Sequence, residues 1–62
     1  MKWIEVTPVA PDGTDQRPIA VEMDRAEAIE RDGDTTLILF RYRDPLRVRE
    51  TPARIQALLE EV

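Results

Sequence analysis

The chain contains neither cysteine nor histidine, and at 62 residues that absence governs what it can fold into. A chain of this length buries only about 60% of the surface its unfolded form exposes. Cores that small are commonly reinforced by disulfides, a structural metal or self-association. Disulfides and zinc sites need the residue types that are missing. Hard cations held by carboxylates remain open, but the acidic turn Asp32-Gly33-Asp34 lacks the ligand spacing and terminal glutamate of a calcium loop. No metal or cofactor is expected, and self-association is the reinforcement left: a homo-oligomer. The length leaves room for one domain, residues 1–62.

Serine and asparagine are absent too, so no Ser-His-Asp or Cys-His arrangement can form. Carboxylates, one Lys, one Tyr and five Thr remain for acid or base work, and nothing in the pattern announces a cleft that would hold two carboxylates apart. A non-enzymatic role is expected. Apolar residues at 42% and charged residues at 35% describe a folded, water-exposed chain. No apolar run approaches the roughly 20 residues of a membrane span, and the acidic Glu5 interrupts what a signal peptide would need at the start, so a cytoplasmic protein is expected.

The net charge of −4 is unevenly spread. Residues 1–35 hold four basic and nine acidic side chains, whereas residues 36–50 hold four basic and two acidic ones. An acidic chain with one short basic segment cannot make the many phosphate contacts that polymer binding requires, so general nucleic-acid binding is excluded.

Periodicity supplies the elements. Trp3 to Thr7 alternates, with Ile4 and Val6 on one face, and reads as a first strand. Pro8, Pro11, Asp12-Gly13 and Pro18 then mark a long hairpin connection unsuited to central pairing. Ile19 to Glu22 reads as a second strand with Ile19 and Val21 inward, and Met23-Asp24-Arg25 as a turn. Ala26 to Arg31 fits a strand or a helical turn, of which the strand is preferred. After the Asp32-Gly33-Asp34 turn, Thr35 to Arg43 is β-branched and aromatic enough to be the central strand, with Ile38, Phe40 and Tyr42 on one face. Asp44-Pro45 breaks it, and Leu46 to Glu50 alternates as its partner. Thr51 is a good N-cap and Pro52 suits the first helical position. Ile55, Leu58, Leu59 and Val62 then form an apolar stripe on a helix from about Thr51 to Glu61. The expected fold is α+β: a small, twisted, mostly antiparallel sheet of four or five strands with one C-terminal helix packed on a face.

The succession of Ile4-Glu5-Val6-Thr7, Val21 with the Asp24 turn and Ile29, Thr36 with Ile38, Val48-Arg49-Glu50-Thr51 and a helix carrying Ile55 and Leu59 is similar to short proteins of the FlbD/SwrD type, associated with flagella and swarming. It is equally similar to many phage and prophage reading frames of about this length. The likeness covers nearly the whole chain and rests on apolar spacing and the Val-x-Glu-Thr step. The chain departs from that pattern in its proline-rich first connection and in the Arg41-Tyr42-Arg43-Asp44-Pro45 tip.

The constellation that stands out is Arg41, Arg43, Arg47 and Arg49. An odd-length loop around Asp44-Pro45 keeps all four on one face, whereas a two-residue turn at Pro45-Leu46 splits them into opposite pairs. Like charges on one face repel. They are either neutralised across the sheet, with Glu22, Glu27, Glu30 or Glu50 as the acids in reach, or they bind an anion or a protein partner. Trp3 points away from Ile4 and Val6 and calls for cover by the helix, a subunit contact or a stacked base, and Tyr42 reads as core rim or ligand contact. Three functions follow as expectations. The first is an oligomeric protein that sequesters a small anionic ligand such as a nucleotide signal in an Arg-lined pocket between subunits, as phage proteins of similar size do. The second, which the resemblance implies, is a motility accessory binding another protein. The third is a phage inhibitor that contacts a host protein directly. The expected binding residues are Arg41, Arg43, Arg47, Arg49, Tyr42 and Trp3.

Overall fold

The computed structural model describes residues 1–62 as five strands and one helix: β1 (Trp3–Val6), β2 (Ile19–Glu22), β3 (Ala26–Asp32), β4 (Thr35–Phe40), β5 (Leu46–Val48) and α1 (Pro52–Glu60). All pairing is antiparallel, in one ladder β1-β2 and another β3-β4-β5 with β4 at its centre. This is the small α+β fold the periodicity predicts, and residues 26–31 are strand. The two ladders meet at a single isolated bridge instead of forming one continuous sheet. Pro8 and Val48 face each other as an antiparallel bridge, with the Arg49 N–H donating to the Thr7 carbonyl at 2.9 Å and the Val9 N–H to the Arg47 carbonyl at 3.0 Å. That is the pair in which the central residues exchange no bonds with each other. Proline therefore fits a position between strands that would otherwise reject it. Its own carbonyl points the other way and accepts from Gln16 at 2.8 Å.

The first connection is itself a small hairpin, a feature the sequence reading did not anticipate. Val9 and Asp15 bridge, Ala10 donates to Thr14 at 2.8 Å, and Gly13 donates to Ala10 at 2.8 Å. Pro11 and Asp12 occupy the turn and Gly13 follows at φ +90°, a three-residue loop whose third position favours glycine. The second tight turn has Gly33 at φ +64°, with Asp34 outside the positive region, between the paired ends Asp32 and Thr35.

The core consists of Ile4, Val6, Val21, Met23, Ile38, Val48 and Ile55. Ile4 and Val6 face their partners Val21 and Ile19 across β1-β2, but Ile19 lies at the strand end and stays 42% exposed. Its expected inward role goes instead to Met23, which donates its N–H to the Lys2 carbonyl at 2.7 Å and turns its side chain inward. The helix is capped as expected: the Thr51 hydroxyl accepts from the Arg54 N–H at 3.1 Å and Pro52 begins the first turn. It lies against β1 and β3. Ile55 is fully buried, with Leu58 and Leu59 packed at the core's edge. Val62 falls past the helix end and is exposed, so the stripe is one residue shorter than its spacing suggests. No helix is long and apolar enough to cross a membrane.

Candidate partner-binding surface

The β4-β5 register fixes where the arginines lie. Thr36 pairs with Val48, Leu37 with Arg47 and Ile38 with Leu46, so seven residues, Leu39 to Pro45, separate the last pair. The odd count puts Thr36, Ile38, Leu46 and Val48 on the core side, and Arg47 beside Leu37 on the other. Parity alone would gather the four arginines. Distance along the hairpin separates them: Arg47 and Arg49 run beside the start of β4, while Arg41 and Arg43 belong to the bend beyond its end.

At the Arg47 end every guanidinium is spoken for. Arg47 Nη1 donates to Asp32 Oδ2 at 2.9 Å and to Thr35 Oγ1 at 2.6 Å. Arg49 gathers three segments: its Nε donates to Asp15 Oδ1 at 2.8 Å, Nη1 to Asp34 Oδ2 at 3.1 Å and Nη2 to the Gly13 carbonyl at 2.9 Å. Asp15 foremost, by hydrogen bond and then by charge, with Asp34 behind it, raises the Arg49 pKa above its ordinary value against an opposing desolvation. A groove of about 760 Å³ runs here between the first connection and the β4-β5 hairpin, lined by Asp32, Asp34 and Thr35 as well as Arg47 and Arg49. With Asp15 counted, three carboxylates face two guanidiniums.

The other end is differently furnished. Arg41 Nε donates to Glu27 Oε1 at 2.6 Å, and Glu27 first, then Tyr42, raises its pKa. Its Cζ lies 6.0 Å from the Tyr42 ring centroid, and the Arg43 Cζ lies 5.0 Å from that of Phe40, distances at which a guanidinium is drawn to a ring face. Arg43 makes no ion pair. Tyr42 is 85% exposed, so it belongs neither to the inward face of β4 nor to the core rim: β4 ends at Phe40, and the bend turns the phenol into water. A cleft of about 540 Å³ beside it is lined by Asp24, Arg25, Ala26, Glu27, Arg41 and Tyr42.

Trp3 is in neither group. It stands on the outer face of β1 opposite Glu22, 50% exposed, and the helix that was one expected cover packs on the opposite face with Ile4 and Val6. Among the acids expected to neutralise the arginines, only Glu27 does so. Glu50 instead accepts from the Thr7 N–H at 2.8 Å and from its hydroxyl at 2.9 Å, tying the end of β1 to the start of the helix segment. Of the aspartates that hold Arg47 and Arg49, Asp32 and Asp34 were legible only as turn formers and Asp15 not at all. For Asp32 and Asp34 the signal was position, since they belong to a tight turn just before Thr36, which pairs with Val48 between the two arginines. Comparison with family models, with curated proteins and with solved structures finds no match to this chain.

Proposed function

We propose that the chain is a non-enzymatic binding protein, working as a homo-oligomer, that engages an acidic surface of a partner protein through the Arg41–Pro45 tip. The observation that carries this reading is Tyr42, projecting into water between Arg41 and an Arg43 without a carboxylate of its own. Tyr and Arg are the residues that most often concentrate binding energy at interfaces, because each offers large contact area together with a polar end. Arg43, without an ion pair, keeps its charge available to an acidic patch. Direct protein contact is also the role implied by the flagellar resemblance and the mode of a phage inhibitor. The small-ligand reading, a nucleotide in an Arg-lined pocket, is weakened at Arg47 and Arg49, each of which is already paired with aspartate. A phosphate arriving there would compete with three carboxylates already in place.

A ten-residue poly-glutamate peptide and, separately, ATP are the probes, followed by backbone amide and arginine Nε resonances. The expected result is a salt-sensitive shift confined to residues 41–45 with the peptide, abolished by Arg43→Glu and weakened by Tyr42→Ala. Absence of any shift there overturns the reading. An ATP response centred on Arg47 and Arg49 and removed by Arg47→Glu would replace it with the nucleotide pocket.

A further inference from the structure

The longest strand of the protein is an unpaired edge. β3 bonds to β4 on one side and to nothing on the other, and Glu27, Ala28, Glu30, Arg31 and Asp32 are exposed along it. Edges are usually blunted by charges and bulges. The bulge here lies between Ala26 and Ala28, which leaves Ile29 to Asp32 in regular extended pairing with β4. The two-residue turn at Gly33-Asp34 closes on Asp32 and Thr35. By the alternation of an antiparallel ladder, Asp32 and Glu30 therefore direct their N–H and C=O groups toward β4, and Ile29 and Arg31 direct theirs outward.

We infer that this edge pairs with the same edge of a second copy, antiparallel about a two-fold axis through Ile29. The charges select that register. Centring the pair on Ile29 sets the two isoleucines facing each other and brings each Arg31 to the partner's bulge, where Glu27 is the residue without a partner on β4. Centring on Glu30 sets two glutamates against each other. Centring on Arg31 opposes two arginines and also sets Glu30 against the partner's Asp32. Like charges directly opposite are destabilising and unlike charges stabilising, so the side chains that protect the edge from promiscuous pairing permit one self-complementary arrangement. Arg31 is available for it: its Nε reaches only the Gly33 carbonyl, at 3.3 Å, and it makes no ion pair within the chain. Glu27 bonds Arg41 through Oε1 alone, leaving Oε2 free. Beside the strand lies a groove of about 330 Å³, walled by Met23, Ala28, Ile29 and Leu59 together with Glu27 and Gln56, and closing the pair brings the partner's Ile29 alongside it. This surface supplies the self-association within the proposed function, and its contact is isologous and closed.

The test uses charge exchange. Sedimentation of the intact chain from about 10 µM to 1 mM, the range suited to a small interface, is expected to show a monomer–dimer equilibrium. The Ile29 and Arg31 amides should gain exchange protection as concentration rises. Arg31→Glu and Glu27→Arg should each weaken the dimer about tenfold or more, and the double exchange should restore it. Amide spectra of the variants separate a lost interface from a lost fold. A monomer at every concentration, a dimer indifferent to Arg31→Glu, a double exchange that fails to rescue, or protection appearing on β2 instead of β3 overturns the inference. Tip binding is read at residues 41–45, so it can fail while the β3 dimer stands, and the dimer can fail while tip binding stands.

Discussion

The two ends of the β4-β5 hairpin carry similar arginines and put them to opposite use. At the Arg47-Arg49 end the neighbouring turns bring aspartates within 2.8–3.1 Å, and the guanidiniums fasten the first connection to the sheet. At the tip only Glu27 answers, Arg43 answers to nothing acidic, and Tyr42 stands in water. Charge density along the sequence is therefore a poor guide to electrostatic freedom. What decides it is whether a turn rich in aspartate lies across the sheet from the arginine. The first connection and the β3-β4 turn both meet β5 near Arg49, and neither reaches the tip.

The largest effect should come from the layer beneath both ends. Ile38 is fully buried and faces Leu46, where β5 begins. Ile38→Ala removes three carbons from a core of seven buried apolar residues and should cost about 2–5 kcal/mol. In a chain this small that is much of the total stability. Urea unfolding should show the midpoint collapsing for the whole protein in one transition. A separate early transition at the tip, with the Arg49 end persisting, would show that the two ends do not share a core.

Much of this architecture is readable in the sequence because local signals agree. Ile4 and Val6, the β-branched run at Thr35, and the Thr51-Pro52 helix start each rest on a rule with a period or a cap, and the structure keeps all three. The errors fall where tertiary position overrides pattern. Ile19 and Val62 have the right spacing but sit at element ends, where nothing remains to cover them, and Met23 is buried although it belongs to a turn. Tyr42 continues the alternation of β4 by two residues on paper, but the bend before Pro45 ends the strand at Phe40. The arginine parity was legible from the odd loop length. Their partners were not, because Asp15 meets Arg49 across 34 positions of chain, and no periodicity reports which loop folds back onto which strand.

The second effect separates the two ends directly. Arg49→Ala strips donors from Asp15, Asp34 and the Gly13 carbonyl at once. It should lower the melting temperature, and more at low salt than at high salt, because these pairs are partly exposed and screened. Arg43→Ala removes a side chain that lies over the Phe40 ring and makes no ion pair, and should leave the melting temperature almost unchanged. Equal losses from both substitutions would erase the distinction between a fastening arginine and a free one. A larger loss from Arg43→Ala would reverse it.

The smallest effect concerns pH and the turn that presents Gly13 to Arg49. Asp12 Oδ1 accepts from the Thr14 hydroxyl at 2.7 Å and from its N–H at 3.0 Å, and these bonds, the hydroxyl first, hold the Asp12 pKa below its ordinary value. A carboxylate whose pKa is lowered by folding contributes stability that is present above its unfolded pKa and is lost as pH falls through the folded value. Arg49, with its pKa raised, stays charged over the whole acid range, so the arginine itself adds no pH dependence there. On acidification the Asp12–Thr14 bonds should hold until the pH falls through the lowered Asp12 pKa. The Gly13 amide and the Arg49 Nε resonance should then move together, following the titration of Asp12, while the Arg43 resonance stays still. In Asp12→Ala the part of the Gly13 and Arg49 movement that belongs to Asp12 should disappear. A response of Arg43 of the same size as that of Arg49 would mean that the tip and the fastened end are electrostatically one region.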